Sequence, residues 1–153
     1  MDPKLVELVG RNWLTSQLLR AGLEVALPER DRGIDLIAYR DLDEKQQFLA
    51  YPIQMKAATD EVFSIDRKYE KFPRLILAYV WNIGDSTRTK CFALTYEETI
   101  HIADKMEYTK TPSWQTGRRY STTAPSKELK ELLGPFEMSS PEKWLSKFND
   151  SHR

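Results

Sequence analysis

The chain is poor in the residues that define several large protein classes. Its 153 residues include one cysteine, Cys91, so no disulfide can form within the chain. Disulfides are typical of secreted proteins, so a lone thiol leads us to expect a cytoplasmic protein. Cys91 stands in the apolar run 91–94 and is expected to be a buried structural thiol, not a nucleophile. Neither His101 nor His152 has a partner at zinc-ligand spacing, so no zinc site is expected.

Long apolar runs and glycine-rich motifs are also missing. No run approaches the roughly 20 residues that span a bilayer. The first residues, 1–4, lack the basic region and apolar core of a secretory signal. We therefore expect no membrane partner. The six glycines form neither a phosphate-binding loop nor a Gly-x-Ser-x-Gly elbow, which argues against nucleotide-binding loops and serine hydrolases of those types.

The chain has no excess charge of either sign. Its 23 basic and 23 acidic residues cancel, so no overall field attracts nucleic acid. Basic residues are clustered locally at Arg67-Lys68 with Lys71 and Arg74, at Arg118-Arg119, and at Lys127 with Lys130. Such clusters are more often solvated faces than phosphate tracks. Neutrality weakens a nucleic-acid interpretation without excluding it.

What the chain does have is a regular order of predicted elements. Asp2 as N-cap and Pro3 at the first helical position predict a helix over 3–21, which Gly22 ends. Strands are expected at 23–27, 34–40 and 48–57, with a charged hairpin tip at 41–46. Pro52 predicts a bulge or an edge position in the third strand.

The second half of the chain is predicted to continue the same domain. We expect one or two helical turns around 65–72, a strand over 74–81 covered on both faces, a strand over 90–94, and a helix over 95–106 that starts with a capping box. A hairpin around 114–120 and helices at 126–133 and 141–148 follow, before a frayed tail at 149–153. This order predicts a single mixed α/β domain over 1–153. Its core spans 3–106, with a central sheet of about five strands flanked by helices, and a helical C-terminal extension spans 107–148.

Asp35 is the first candidate for chemistry. It lies in the otherwise apolar run Ile34–Ala38, where a carboxylate is unfavourable unless it points to a special place. The alternative is that it faces the wet side of a sheet. In the next strand, alternation sends Gln54 and Lys56 to one face. Lys56 is predicted to stabilise a developing phosphate charge, or else to form a plain cross-strand ion pair with Asp35.

Glu7 is the third acidic or polar position that breaks its local pattern. On a helical wheel it falls between Leu14 and Leu18, which suggests that its end of the helix faces a polar pocket over the sheet. The alternatives are an ion pair with Arg11 or an interaction with the helix N-terminus.

The order of these motifs resembles the PD-(D/E)XK nuclease superfamily, with its restriction-endonuclease-like fold. The likeness covers roughly 5–81 and is carried by a helix with Glu7, the run Gly33-Ile34-Asp35-Leu36-Ile37, and the run Ile53-Gln54-Met55-Lys56-Ala57. It is nearest to branches with glutamine in place of the second acid, as in Mrr-type nucleases. No proline precedes Asp35, a loss that many branches share.

The resemblance implies roles for individual residues. Asp35 would be the metal-binding aspartate, Gln54 the replaced second acid, Lys56 the catalytic lysine and Glu7 an additional acid. The backbone carbonyl of Met55 would complete the shell of a Mg²⁺ or Mn²⁺ ion. The implied reaction is hydrolysis of DNA, less often RNA, by activated water. Members of the superfamily often dimerise to cut two strands, so a homodimer is also implied, although the sequence locates no interface.

Two alternatives accompany the nuclease hypothesis. Gln54 removes one negative charge from the metal shell, so the domain could be an inactive nuclease-like module that binds nucleic acid or protein. The second alternative is an unrelated α/β domain in which Asp35 and Lys56 form a structural ion pair. Aromatic rings are combined with positive charge, as in single-strand binders, at Trp114, Arg118, Arg119 and Tyr120, but hairpin packing explains the aromatics equally well.

Overall fold

The computed structural model describes residues 1–42 and 47–151. Most of the predicted hairpin tip and the last two residues of the predicted tail lie outside these ranges. The helices are α1 (Pro3–Arg20), α2 (Tyr96–Lys105), α3 (Pro112–Gly117), α4 (Lys127–Leu133) and α5 (Pro141–Ser151). The strands are β1 (Glu24–Ala26), β2 (Leu36–Leu42), β3 (Gln47–Ala57), β4 (Phe63–Asp66), β5 (Ile76–Trp81), β6 (Lys90–Thr95) and β7 (Arg119–Thr122).

The main sheet has five strands in the order β1-β2-β3-β5-β6. Only the β3–β5 pair is parallel; β1–β2, β2–β3 and β5–β6 are antiparallel. β4 and β7 form a separate antiparallel pair. The predicted α/β class, with a mixed five-stranded sheet flanked by helices and a C-terminal helix, is confirmed.

Each face of the main sheet is covered by a different layer. Helices α1 and α5 pack with buried side chains of the sheet on one face. The β4–β7 pair and helices α2 to α4 contribute to the cluster on the other face. All six residues of β5 are buried, as its continuous apolar sequence predicts.

Helix α1 approaches β3 unusually closely because of one glycine. The buried stripe of α1 consists of Val6, Gly10, Leu14 and Leu18, which recur at the spacing of one helix face. A Cβ added at Gly10 would lie 2.8 Å from the Cβ of Ala57, so a larger residue does not fit without movement. The close approach sets the N-terminal half of α1 over the C-terminal half of β3.

Several local predictions are confirmed by the structure. The Asp2 side chain accepts a hydrogen bond from the Lys4 backbone N–H at 2.8 Å. The Thr95–Glu98 capping box starts α2. Pro52 pairs with Ile37 in an uninterrupted β2–β3 register, and pairing with β5 begins only at Ile53. Pro52 is therefore at an edge position and not at a bulge.

One predicted element is wrong. The segment 114–120 is not a hairpin: Thr111 caps the short helix α3, Arg118 takes a left-handed conformation with φ of 60°, and β7 then pairs with β4. The C-terminal extension is therefore not wholly helical. The helical turns predicted around 65–72 are confirmed for Arg67–Lys71, which form a 3-10 helix, while the preceding Phe63–Asp66 is strand β4. Helix α5 also runs past its predicted end at Phe148, to Ser151.

Within the described residues, no helix is long and apolar enough to cross a membrane.

Candidate functional site

The candidate site lies where β2 separates from β3. The two strands pair as far as Leu36 and Ile53, and the backbone N–H of Asp35 donates to the carbonyl of Ile53 at 2.9 Å. Beyond that point the last residues of β3 pair only with β5. The separation leaves a gap beside the backbone of Met55, and Asp35 stands at its apex.

Asp35 closes part of this gap with its own side chain. Its Oδ2 accepts a hydrogen bond of 2.7 Å from the backbone N–H of Met55, which has lost its strand partner on that side. An unpaired backbone N–H is unfavourable away from water, so this bond stabilises the divided sheet. Asp35 is half-buried and immediately precedes β2, slightly outside the strand predicted to contain it.

Three carboxyl groups meet at the gap. Glu7 of α1, Asp31 of the β1–β2 loop and Asp35 each place a carboxylate oxygen within 4.8 Å of the others. With Gln54 and Lys56 of β3 they line a cleft of about 370 Å³, which we call the acidic cleft. The structure thus brings together all four side chains predicted from the sequence.

Glu7 reaches the acidic cleft through the packing of its helix. It precedes Gly10 by about one turn, so the close contact of Gly10 with β3 carries Glu7 to the open end of the strand. Glu7 is exposed, and none of the ion pairs among the described residues joins it to Arg11. The polar-pocket interpretation of Glu7 fits this position better than the helical ion pair does.

Asp31 is the member of the cluster that sequence reasoning missed. Its Oδ1 accepts a hydrogen bond of 3.1 Å from the backbone N–H of Gly33, which has a φ of 93°. The Asp-x-Gly spacing is a recognisable signal of such a turn. The turn signal does not reveal that the loop folds back over Asp35, so the sequence indicates the turn and not the cluster.

Burial and like charge act together on Asp35. Burial is the main cause that raises the pKa of its carboxyl, and the carboxylates of Asp31 and Glu7 raise it further. The Met55 N–H acts in the opposite direction, because it stabilises the ionised form. Asp35 therefore ionises less readily than a free aspartate in the metal-free protein, and a divalent cation among the three carboxylates would favour the ionised form.

Gln54 contributes a neutral oxygen to the same cleft. Its Oε1 is buried and accepts no hydrogen bond from any described residue, while its Nε2 donates to the carbonyl of Met55 at 3.4 Å. A buried oxygen without a partner is unfavourable, and a bound cation would satisfy it. The N–H of Met55 points to Asp35, so its carbonyl faces the same open edge of β3. Carboxylate, amide and carbonyl oxygens are the ligands preferred by Mg²⁺ and similar hard cations.

Lys56 is not paired with Asp35. Among the described residues no ion pair joins the two, which argues against a plain cross-strand pair. The Lys56 ammonium lies instead over the ring of the buried Tyr69, at 5.4 Å from its centroid. This contact holds the ammonium at the mouth of the acidic cleft without neutralising it.

A second cleft adjoins the first. It has a volume of about 580 Å³ and shares Lys56 and Ser64 with the acidic cleft. We call it the basic cleft, after its cations; its other main lining residues are Lys68, Tyr69, Arg119 and Tyr120. Trp114, which the sequence also singled out, is buried beneath the guanidinium of Arg67 at 5.0 Å and is packed as a core residue.

Comparison with known proteins identifies no similar protein. No family model, curated protein or solved structure matches the chain. Function is therefore inferred from the chemistry of the two clefts: oxygen ligands for a cation in one, and a lysine shared with a cationic, aromatic surface in the other.

Proposed function

We propose that the protein is a metal-dependent nuclease that hydrolyses phosphodiester bonds of DNA by activated water. The observation that carries this proposal is the acidic cleft itself, where carboxylate oxygens of Glu7, Asp31 and Asp35 lie within 4.8 Å of one another. The same space is lined by the amide oxygen of Gln54 and the ammonium of Lys56, and among the described residues the first accepts no hydrogen bond and the second forms no ion pair.

The oxygen ligands of the cleft suit Mg²⁺ or Mn²⁺. Asp35 and Glu7 would bind the ion directly, with Gln54 Oε1 and the Met55 carbonyl as neutral ligands. Asp31 would act as a further carboxylate, one that the resemblance did not supply. Magnesium is usually held by one or two carboxylates with waters, so Gln54 in place of an acid is compatible with binding. A bound ion of this kind lowers the pKa of water and offsets phosphate charge.

The protein side chains would orient the substrate around that ion. Lys56 stands at the junction of the two clefts, where its ammonium can donate to a phosphate oxygen as negative charge develops. The Tyr69 ring restricts its position, which reduces the reorganisation needed during the reaction. Asp35 has a second task, because its bond to Met55 N–H fixes the open end of β3.

The arrangement of the sheet supports the restriction-endonuclease-like assignment that we propose for the fold. A helix with an acid packs over a strand pair that separates at Asp35, and the next strand presents Gln54 and Lys56 at the opening. A homodimer stays a prediction, and light scattering of the purified protein tests it.

Cleavage with metal tests the proposed activity. Plasmid, linear and branched DNA are incubated with the protein and Mn²⁺, and the products are separated on gels. We expect cleavage by the wild type and a loss of about 100-fold or more for Asp35→Asn. Asp41→Asn, which changes an exposed carboxylate of β2 outside the cleft, is the matched control and should remain active. Absence of cleavage by the wild type, or equal cleavage by Asp35→Asn, would contradict the proposal.

A second function is favoured by one specific observation. Because Asp35 is bonded to the Met55 backbone, it has a structural task that would retain it in an inactive nuclease-like domain. Such a domain would bind nucleic acid or protein without cutting. Calorimetric titration with Mn²⁺ separates the two: heat that is lost in Asp35→Asn supports the nuclease, and no Asp35-dependent heat supports the binding module.

A further inference from the structure

We propose that the basic cleft binds an unpaired nucleotide of a single-stranded nucleic acid, next to the phosphate that lies at Lys56. The inference rests on the proposed function and names its substrate class. It assigns a ligand-binding role to part of the C-terminal extension, which the resemblance leaves without one.

The two clefts form one path along the protein. Lys56 and Ser64 belong to the lining of both. A strand with one phosphate at Lys56 therefore enters the basic cleft without crossing another part of the surface. Part of the lining of that cleft comes from β4 and β7, which pair with each other across a long stretch of sequence.

The charge of the basic cleft suits a phosphate. Lys56, Lys68 and Arg119 line it, and Asp66 is the one acid among the described residues that line it. Asp66 is already engaged by Lys68, through the backbone N–H at 2.9 Å and the ammonium at 3.9 Å.

Arg119 is the cation left for a ligand. Its guanidinium makes no hydrogen bond, ion pair or ring contact with the described part of the chain, 1–42 and 47–151. A guanidinium without a protein partner in a cleft is suited to bidentate binding of a phosphate.

Tyr120 supplies a surface on which a base can stack. Its ring is stacked on Tyr108, with centroids 4.2 Å apart and planes 20° apart, and it is half-buried in the cleft wall. One face is thus held by protein, which fixes the orientation of the ring. Aromatic rings that line a cationic groove are the usual binding surface for bases of single strands.

Access to the Tyr120 ring favours an unpaired base. About 580 Å³ falls in the range of sites for small organic ligands, which is suitable for a single nucleotide. In a duplex both faces of a base are covered by its neighbours, so a base reaches Tyr120 only when it is unpaired. Single strands, flaps and frayed ends satisfy this requirement.

Binding without metal tests the inference separately from catalysis. Fluorescence anisotropy in EDTA is measured with the full chain and labelled 12-nucleotide oligo(dT), oligo(U) and a DNA duplex of the same length. We expect oligo(dT) or oligo(U) to bind more tightly than the duplex, and the two single strands distinguish DNA from RNA. Binding by Asp35→Asn should persist, so loss of cleavage in that variant does not affect this result.

Paired variants locate the binding site. Arg119→Gln should weaken single-strand binding about 5-fold and reduce the salt dependence by about 0.7 in the log–log slope, the value for one phosphate contact. Arg118→Gln changes the adjacent exposed arginine, which does not line the cleft, and should bind as the wild type does. Tyr120→Leu should lose about 5-fold or more, while Tyr120→Phe should stay within about 2-fold.

Three results would overturn the inference. They are a duplex that binds as tightly as both single strands, equal binding by the Arg119 and Arg118 variants, and equal binding by Tyr120→Leu and Tyr120→Phe. Circular dichroism of each variant verifies that it is folded, and Tyr120→Phe keeps the aromatic test valid if Tyr120→Leu is unstable. The cleavage assay with Asp35→Asn decides the proposed function independently.

Discussion

The acidic cleft and the basic cleft share Lys56 but differ in their electrostatic interaction with a phosphate. In the acidic cleft three carboxylates lie within 4.8 Å of one another, so a phosphate is repelled there unless a cation intervenes. In the basic cleft the guanidinium of Arg119 has no partner among the described residues, and a phosphate is attracted without metal. The comparison indicates that binding and chemistry are separable: metal should control cleavage and leave much of the strand binding intact.

The two clefts also differ in how they are built. The acidic cleft is formed mainly by α1, the segment that connects β1 to β2, and the end of β3. The basic cleft depends on the pairing of β4 with β7. Changes in the first region should therefore affect metal binding and cleavage, and changes in the second should affect affinity for the strand.

The largest effect on cleavage is expected from substitution of Lys56, the lysine that the two clefts share. Lys56→Met should lower Mn²⁺-dependent cleavage by about 100-fold or more, because it removes a donor to the developing phosphate charge. Methionine can keep the contact with the Tyr69 ring, so the fold should persist. Single-turnover rates measure the effect.

The matched control is Lys71→Met. The Lys71 ammonium also lies over an aromatic ring, Phe72, at 5.3 Å, but outside both clefts. The Lys71→Met variant should cleave DNA at the wild-type rate. Equal rates for the two lysine variants would show that Lys56 has no special role.

Metal should stabilise the protein, and the effect should depend on pH. At 100 times its Kd, Mn²⁺ is expected to add about 2.7 kcal/mol to the free energy of unfolding. Because the pKa of Asp35 is raised from 3.8 in the metal-free protein, protons still compete with the metal ion for this carboxylate at pH values above 3.8. Thermal unfolding at about pH 4.5 and pH 7.5 should show the larger shift at the higher pH. A shift that is the same in Asp35→Asn would place the ion elsewhere.

A change at Gly10 tests the packing that sets Glu7 over β3. Gly10→Ala would bring its Cβ to 2.8 Å from that of Ala57, and we expect a loss of about 1–3 kcal/mol together with weaker Mn²⁺ binding. Gly134→Ala is the control, since Gly134 has helical φ and ψ and nothing lies within 4 Å of an added Cβ. Urea unfolding measures both; equal stability of the two variants would refute the close contact.

The smallest effect is expected for Asp35→Asn without metal. Because the pKa of Asp35 is raised on folding, the folded state favours the protonated carboxyl. The contribution of this proton to the free energy of unfolding is complete below pH 3.8 and is lost as the pH rises through the raised pKa. Asparagine can still accept from Met55 N–H and carries no charge. Because solvent screens these partly exposed carboxyls, we expect a gain on the order of 0.5 kcal/mol near pH 7.

Asp41→Asn, which lies outside the cluster, should show no gain of this kind. Urea unfolding of both variants across pH gives the comparison. A destabilised Asp35→Asn protein at neutral pH would contradict the like-charge account of the cluster.

Local signals account for the parts of the fold that the sequence predicts correctly. The Asp2 cap, the Thr95–Glu98 capping box and the continuous apolar run of β5 each act within a few residues. Strand alternation likewise brings Gln54 and Lys56 to the cleft together. These features need no knowledge of distant parts of the chain.

Long-range pairing accounts for what the sequence did not reveal. The pattern of Trp114 and Tyr120 suggested a hairpin, but β7 pairs with β4, which is far away in sequence. Asp31 joins Asp35 only because its loop folds back over the sheet. The basic cleft could not be assembled from local patterns for the same reason.

The most direct test of the central claim is the crystal structure of the protein with Mn²⁺, with the ion located by anomalous scattering. We predict one anomalous peak in the acidic cleft, from a Mn²⁺ ion bound by the carboxylates of Glu7 and Asp35, the side-chain oxygen of Gln54 and the backbone carbonyl of Met55. A cleft without a peak at saturating Mn²⁺, or an ion bound only outside it, would contradict the account.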